Sequence, residues 1–382
     1  MILRARTVVT MDGPPIENGA VAIDANRIVD VGTFDEVRMR QAGEIVDLGE
    51  QALLPGLINA HCHLDYTSLR GKIPKPKSFT DWIRAINREK AKLSPADYVA
   101  SINQGFAEAK RFGTTTIANL TAFPELIPQV QPAIRAIWFA ELIDVRASVD
   151  VDLAEVQGLA PHAPFTASAD LYRRCEARGG LLTTHLAESR EEMAMFRDAD
   201  GPLYDFMKEI GRDMSDCGRG TPIEQFLGHP RRKDWMLVHL NEITESDFDL
   251  LARSTSKFSI VHCPRSHKYF EHSPFQFGKL RDLGFNICLG TDSLASNDDL
   301  NLFAEMRAFK RSFADVSPEG ILQMVTSNPA RALGQAELLG RIRQNHHVDL
   351  VAVPQSGGDV FEEIIAFEGA PWVMADGKTG ED

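Results

Sequence analysis

The chain has 382 residues, 43% of them hydrophobic and 25% charged, which suits a barrel of about 250 residues or more with a small appended domain. Its 54 acidic against 41 basic residues give a formal charge of −13, which repels nucleic acid and anionic membrane surfaces and leaves a small molecule as the expected partner. The five cysteines form no C-x-x-C pair, the N-terminus lacks a signal-peptide core, and no apolar run nears the ~20 residues of a membrane span. A cytoplasmic protein with reduced thiols is therefore expected.

The first fifty residues predict short strands at 19–23, 27–32 and 44–48. From there, short β-rich segments alternate with longer helical patterns, the signature of parallel βαβ units. Eight strands are predicted, at 53–61, 114–119, 136–141, 156–160, 181–185, 236–239, 258–262 and 286–290. Eight parallel strands imply a closed (β/α)8 barrel rather than an open sheet. The stretch 142–155 is too short for a full crossover helix.

After the eighth strand, Leu300, Phe303, Met306, Phe309 and Phe313 recur at helical spacing. Ser317-Pro318 and Asn328-Pro329 each put a capping side chain before a proline at the first helical position. Strand texture returns at 348–353 and 363–367, so the two ends are expected to pair. The α/β chain thus divides into an N-terminal part of a small composite β domain (1–52), the barrel (53–344) and the C-terminal part of the β domain (345–382).

Catalytic groups of such a barrel lie at the C-terminal ends of its strands. Five predicted strands end in polar groups: His61-Cys62-His63, Pro161-His162-Ala163-Pro164, His185-Leu186-Ala187-Glu188, Val238-His239-Leu240 and Thr291-Asp292-Ser293. In an extended strand His61 and His63 point to one face while Cys62 faces away. Imidazole and carboxylate suit Zn2+, so His185 and Asp292 are the candidates to complete a four-ligand site with His61 and His63.

A metal-activated water needs a base and an acid, work that Glu188 and His239 can divide. The alternatives are an exposed carboxylate in a first helical turn and a hydrogen-bonded core histidine. His162, framed by prolines, is a candidate substrate contact. Arg265, in His262-Cys263-Pro264-Arg265-Ser266-His267-Lys268, either reads a polar substrate tail or belongs to a solvated basic loop. His229, His346 and His347 carry no assigned role.

Taken together, Pro55-Gly56-Leu57-Ile58-Asn59-Ala60-His61-Cys62-His63, His185-Leu186-Ala187-Glu188-Ser189, His239 and Thr291-Asp292-Ser293 resemble the amidohydrolase superfamily, most of all its cytosine deaminase and chlorohydrolase-related branch. The resemblance covers nearly the whole chain. It implies a single divalent ion, zinc or in some members Fe2+, held by His61, His63, His185 and Asp292, with Glu188 and His239 as the proton-transfer pair. It also implies that His162 and Trp82, in Phe79-Thr80-Asp81-Trp82-Ile83, contact the substrate. Core packing in a helix is the alternative for Trp82.

Within the branch the motifs are most similar to deaminases of adenine nucleosides such as aminodeoxyfutalosine and adenosine derivatives. His267, where relatives carry asparagine, and the short third crossover depart from that pattern. The expected reaction is hydrolytic deamination: an activated water attacks the amine-bearing ring carbon and ammonia leaves, with Glu188, His239 and Asp292 handling protons. Hydrolysis of a cyclic amide or of a chloro- or amino-triazine uses the same site, and a non-catalytic binding barrel is the rival of a different class. The flipped-base deaminase signature, which needs C-x-x-C, is absent. Homo-oligomerisation is compatible with the sequence, which identifies no interface.

Overall fold

A computed structural model describes residues 1–228, 234–254 and 258–379, so His229 lies outside the described residues. The chain starts in a small sheet made of β1 (Ile2–Val8), β2 (Ile16–Asp24), β3 (Arg27–Thr33), β4 (Ile45–Asp47) and β5 (Gln51–Pro55). Strand β1 pairs antiparallel with β2 and parallel with β4 and β5.

Eight parallel strands follow: β6 (Leu57–Cys62), β7 (Thr114–Thr121), β8 (Arg135–Leu142), β9 (Gly158–Pro161), β10 (Leu181–Leu186), β11 (Trp235–His239), β12 (Phe258–His262) and β13 (Asn286–Leu289). The last strands, β14 (Leu350–Pro354), β15 (Trp372–Ala375) and β16 (Lys378–Thr379), return to the small sheet, whose order is β16-β15-β14-β5-β1-β2-β3 with β4 on β1. Leu3, Val21, Ile28, Leu53, Val348 and Leu350 are its fully buried core.

The expected single strand at 53–61 is two strands. Gln51–Pro55 pairs with β14 in the small sheet, and Leu57–Cys62 opens the barrel. Gly56 sits between them, where a Cβ would overlap the side chain of Thr115 on β7. The bare glycine lets the chain pass tightly from one sheet to the other.

Helices follow most barrel strands. Ser78 and Ser94 accept from the third backbone N–H of the helices Phe79–Lys90 and Pro95–Arg111, and Asn301 caps Leu302–Ser312. No helix joins β8 to β9, in line with the short connection in the sequence. Two local expectations fail. Residues 363–367 belong mostly to the helix Val360–Ala366, which Asp359 caps and whose buried Val360, Ile364 and Ile365 form one face. Asn328 is inside the helix Ser327–Ala332 rather than capping it; its side-chain amide donates to Ile287 O at 2.8 Å and ties the helix to β13.

The barrel closes where β13 meets β6. The backbone N–H groups of Thr291 and Asp292 donate to His61 O at 3.1 and 3.2 Å, and Asn59 Nδ2 donates to Thr291 Oγ1 at 2.7 Å. A Cβ on Gly290 would lie 2.7 Å from His61 O, so only glycine fits this seam. All five cysteines are free. Among the described residues no helix is long and apolar enough to cross a membrane.

Candidate active site

The polar strand ends converge on one rim of the barrel. His61, the penultimate residue of β6, is fully buried, and neither ring nitrogen has a hydrogen-bond partner. His63 Nε2 lies 3.2 Å from His185 Nε2, and Asp292 Oδ1 lies 3.8 Å from His61 Nε2 and 3.9 Å from His63 Nε2. Single ligand atoms of His61, His63 and Asp292 fall within 4.8 Å of one another, as do those of His61, His185 and His239.

Local backbone aims these groups. Strands β10, β11 and β13 are left through Ala187, His239 and Asp292, whose φ values are 50°, 79° and 57°. Left-handed backbone is costly for residues with a Cβ and persists where the surroundings over-determine it, which is common at functional sites. Asp292 is held by Ser266 Oγ, which donates to Oδ2 at 2.7 Å, and by the Ser293 N–H, which donates to Oδ1 at 2.7 Å. His185 Nδ1–H donates to His162 O at 2.8 Å, which leaves Nε2 to face the cluster.

Charge states follow from burial. Burial and neighbouring imidazoles push His63 well below the ordinary histidine range and His185 to about 3, so both rings are neutral. Burial opposes ionisation of Asp292, yet the rings of His61, His239 and His63 hold its carboxyl well below the ordinary range. Neutral imidazoles around an ionised carboxylate are the donor set of a divalent metal. The two unpartnered nitrogens of His61, which cost free energy if left unmatched, fit such a site.

Glu188 lies in the turn before the helix Arg190–Asp198 and is 7% exposed, so the exposed first-turn carboxylate is excluded. Its Oε1 is 3.5 Å from His239 Nε2, and Glu192 Oε2 accepts its backbone N–H at 2.7 Å. Burial, reinforced by Asp292 and Glu192, raises its carboxyl well above the usual range, while burial keeps His239 neutral. A protonated acid thus faces a neutral imidazole beside the cluster.

Above them opens a cleft of about 420 Å³, within the size range of small-molecule sites. His63, His185, Glu188, His239, Asp292, His162 and Trp82 all line it. His162 Nδ1 shares a 2.6 Å hydrogen bond with Thr166 Oγ1, and the Trp82 indole N–H donates to Ala295 O at 3.3 Å while its ring packs on Phe79 and Phe270. Arg265 is not in the lining. Asp298 and Asp299 take its guanidinium, and its segment, expected as a loop, is the helix Pro264–Phe270, which serves the site through Ser266. His267 bonds to Ser273 O and is likewise outside the lining.

Sequence reasoning missed Glu141, Tyr66 and Glu192. Glu141 is the penultimate residue of β8 and lines the cleft with Oε1 3.7 Å from His63 Nδ1. The rule that collected the other polar strand ends also applies to it, since it closes an apolar run. Glu192 and Tyr66 carry no such signal, because one sits in a helix and the other in a 3-10 turn.

Eight parallel strands with an imidazole and carboxylate cluster at their carboxyl ends, and a glutamate facing a histidine beside it, are the arrangement of a hydrolase barrel of the metal-using class. The chain belongs to the amidohydrolase family, whose model matches residues 52–369. Among its relatives, the 5-methylthioadenosine/S-adenosylhomocysteine deaminase of Pyrococcus furiosus is 27% identical over 387 residues, spanning 92% of this chain and 86% of the relative. The protein of the same name from Halobacterium salinarum is 30% identical, spanning 88% and 80%.

Among solved structures, an adenosine deaminase from Xanthomonas campestris with bound zinc superposes with a TM-score of 0.80 at 25% identity, over 99% of this chain and 92% of that one. Helicobacter pylori aminofutalosine deaminase in complex with methylthio-coformycin gives 0.84 at 20% identity over 99% of each chain, a likeness of fold.

Proposed function

We propose that this protein is a zinc-dependent hydrolytic deaminase of adenine nucleosides. The observation that carries the proposal is the pairing of buried Glu188 with His239, Oε1 to Nε2 at 3.5 Å, directly beside the donor cluster in a mostly apolar cleft. The names of the relatives, which are deaminases of adenosine and of its sulfur derivatives, support the substrate class.

His61, His63, His185 and Asp292 would hold the ion; His239 is left out because its Nε2 faces Glu188. Bound there, the ion supplies Lewis-acid activation of a water for attack on the ring. The chain's own residues do the rest. Glu188 presents a proton to a ring nitrogen, which makes the adjacent carbon electrophilic, and His239 Nε2 accepts a proton from the attacking water. His239 then returns that proton to the amine, which leaves as ammonia, while the Glu188 carboxylate takes up the hydroxyl proton as the new carbonyl forms. Asp292, kept ionised, is a further acceptor for the water's proton. Trp82 and His162 bound the ring from the cleft walls, and the apolar lining excludes bulk water. The free cysteines agree with a reducing, cytoplasmic setting.

The test is a substrate panel on metal-loaded protein, with ammonia, amine and chloride release measured together. Ammonia from adenosine-type nucleosides supports the proposal. Release of chloride or alkylamine from triazines, or opening of cyclic amides, with no ammonia from any nucleoside, would replace it with the alternative hydrolase.

A further inference from the structure

One helix supplies a whole wall of the cleft. Phe79, Trp82, Ile83, Ile86, Asn87 and Lys90 of the helix Phe79–Lys90 recur at helical spacing, and all of them line it. The helix is entered from residues 70–78, which form no regular element. Its first backbone N–H groups have no partner within the helix itself. Ser78 Oγ accepts one, from Asp81, at 3.1 Å. Glu191 takes two more: Oε1 accepts from Phe79 N at 2.8 Å and Oε2 from Thr80 N at 3.0 Å. Its Oε2 also accepts from the hydroxyl of buried Thr80.

Glu191 belongs to a different part of the molecule. It lies in the first turn of the helix Arg190–Asp198, three residues after Glu188, and Ser189 between them caps that helix by accepting from Glu192 N at 3.1 Å. Asn241 holds the same turn from the end of β11, its Nδ2 donating to Glu188 O at 3.0 Å. One carboxylate therefore joins the backbone of the aromatic wall to the backbone that carries the proposed acid. Hydrogen bonds from a helix N-terminus to a carboxylate are charge-assisted, and the helix dipole favours them further. The far end of the wall helix is held separately, where the Tyr98 hydroxyl donates to Lys90 O at 3.0 Å. Nearer its start, the Trp82 indole bond to Ala295 O is long at 3.3 Å, and the ion pair of Arg84 with Glu209 is exposed and weak.

We propose that Glu191 is a positioning residue that clamps the Trp82 helix to the segment bearing Glu188 and so fixes the spacing between the aromatic wall and the acid; its effect on turnover rests on the nucleoside deaminase proposed above. Without the clamp the start of the helix is free to shift, and its stripe of cleft residues shifts with it. Misplacing a bound reactant by about 1 Å costs about 10²-fold in rate. Glu191 does not itself line the cleft, so its influence passes through the wall residues, Trp82 foremost.

The test is a double-mutant cycle of Glu191→Ala with Trp82→Leu on metal-loaded protein, with kcat and KM for adenosine, metal content and amide hydrogen exchange measured in each variant. Glu191→Ala is expected to lower kcat/KM about tenfold, mostly through KM and at unchanged metal content, as the loss of hydrogen bonds to a charged group implies. In the Trp82→Leu background the same change should cost less than about twofold, because the two residues act through one contact. Exchange should quicken about tenfold over residues 79–83 while the helix Pro95–Arg111 stays as in the wild type. Glu191→Gln, which keeps one acceptor oxygen, should recover part of both losses. Equal costs in the two backgrounds, or unchanged exchange over residues 79–83, overturns the clamp and leaves Glu191 as a helix cap alone. No ammonia from adenosine, with metal bound to the wild type, would instead refute the nucleoside deaminase, and hydrogen exchange then decides the clamp by itself.

Discussion

Asp292 reaches His61 twice: its backbone N–H donates to His61 O at 3.2 Å, and its carboxylate Oδ1 lies 3.8 Å from His61 Nε2. The seam that closes the barrel therefore also sets two members of the donor cluster. Pairing of the last barrel strand with the first and placement of these two side chains are therefore coupled.

Gly290 is the narrow point of that seam. In Gly290→Ala the new Cβ would stand 2.7 Å from His61 O and 3.0 Å from His61 Cβ, so β13 and β6 must part. A loss of about 1–3 kcal/mol is expected, in the range of overpacked cores. Metal affinity should drop with it. Thermal melts and metal titration check both, and a melt shift without weaker metal binding would separate the two functions of the seam.

Glu188→Gln keeps size and hydrogen bonding but removes the transferable proton. Turnover should fall by about 10²-fold or more, the usual share of a general acid or base. Bound metal should stay at the wild-type level, because Glu188 is not in the ligand set. Near-normal turnover would remove it from the mechanism.

Arg265→Ala addresses the candidate that lies outside the cleft. Its guanidinium joins Asp298, Asp299 and, at 4.0 Å, the buried Glu305. Removing it leaves Asp298 and Asp299 without their cation, so a stability loss of about 1 kcal/mol is expected. KM for the substrate should hardly change. A large rise in KM with an unchanged melting temperature would return Arg265 to the substrate site.

Stability should depend on pH through two buried acids. Burial pushes Glu192 and Glu305 up to about 8, from an ordinary value of 4.5. Between those values the folded chain keeps protons that the unfolded chain has released, so stability is fullest below the ordinary value and declines as pH rises, by about 1.4 kcal/mol per pH unit for each group. A bound ion adds its own pH dependence, so the informative quantity is the difference between wild type and Glu305→Gln. The melting temperature of the variant should fall less steeply from about pH 5 to about pH 8. Parallel curves would mean that Glu305 ionises normally in the folded protein.

Much of this site was legible in the sequence because a barrel strand end carries both kinds of information. The apolar run that makes β11 stops at His239, and in β10 His185 follows the β-rich Leu181-Leu182-Thr183-Thr184, so strand pattern and chemistry coincide. Glu141 obeys the same rule but stood beside no second histidine or motif and was passed over. For Arg265 the alternatives stayed open because charge alone says nothing about direction; it lies in the helix Pro264–Phe270, where two nearby aspartates claim it. The helix Val360–Ala366 was read as a strand because Ile364-Ile365 is β-branched, whereas its Asp359 cap and acidic first turn decide otherwise. The break at Gly56 was hidden because the residues next to it, Ala52-Leu53-Leu54-Pro55 and Leu57-Ile58, are apolar on both sides.

The most direct test of the central claim is the reaction of metal-loaded protein with adenosine and with 5-methylthioadenosine in water enriched in heavy oxygen. The account predicts one ammonia released per nucleoside consumed and one heavy oxygen in the hypoxanthine-type product. Intact nucleoside with the ion fully bound, or ammonia release without oxygen incorporation, would contradict it.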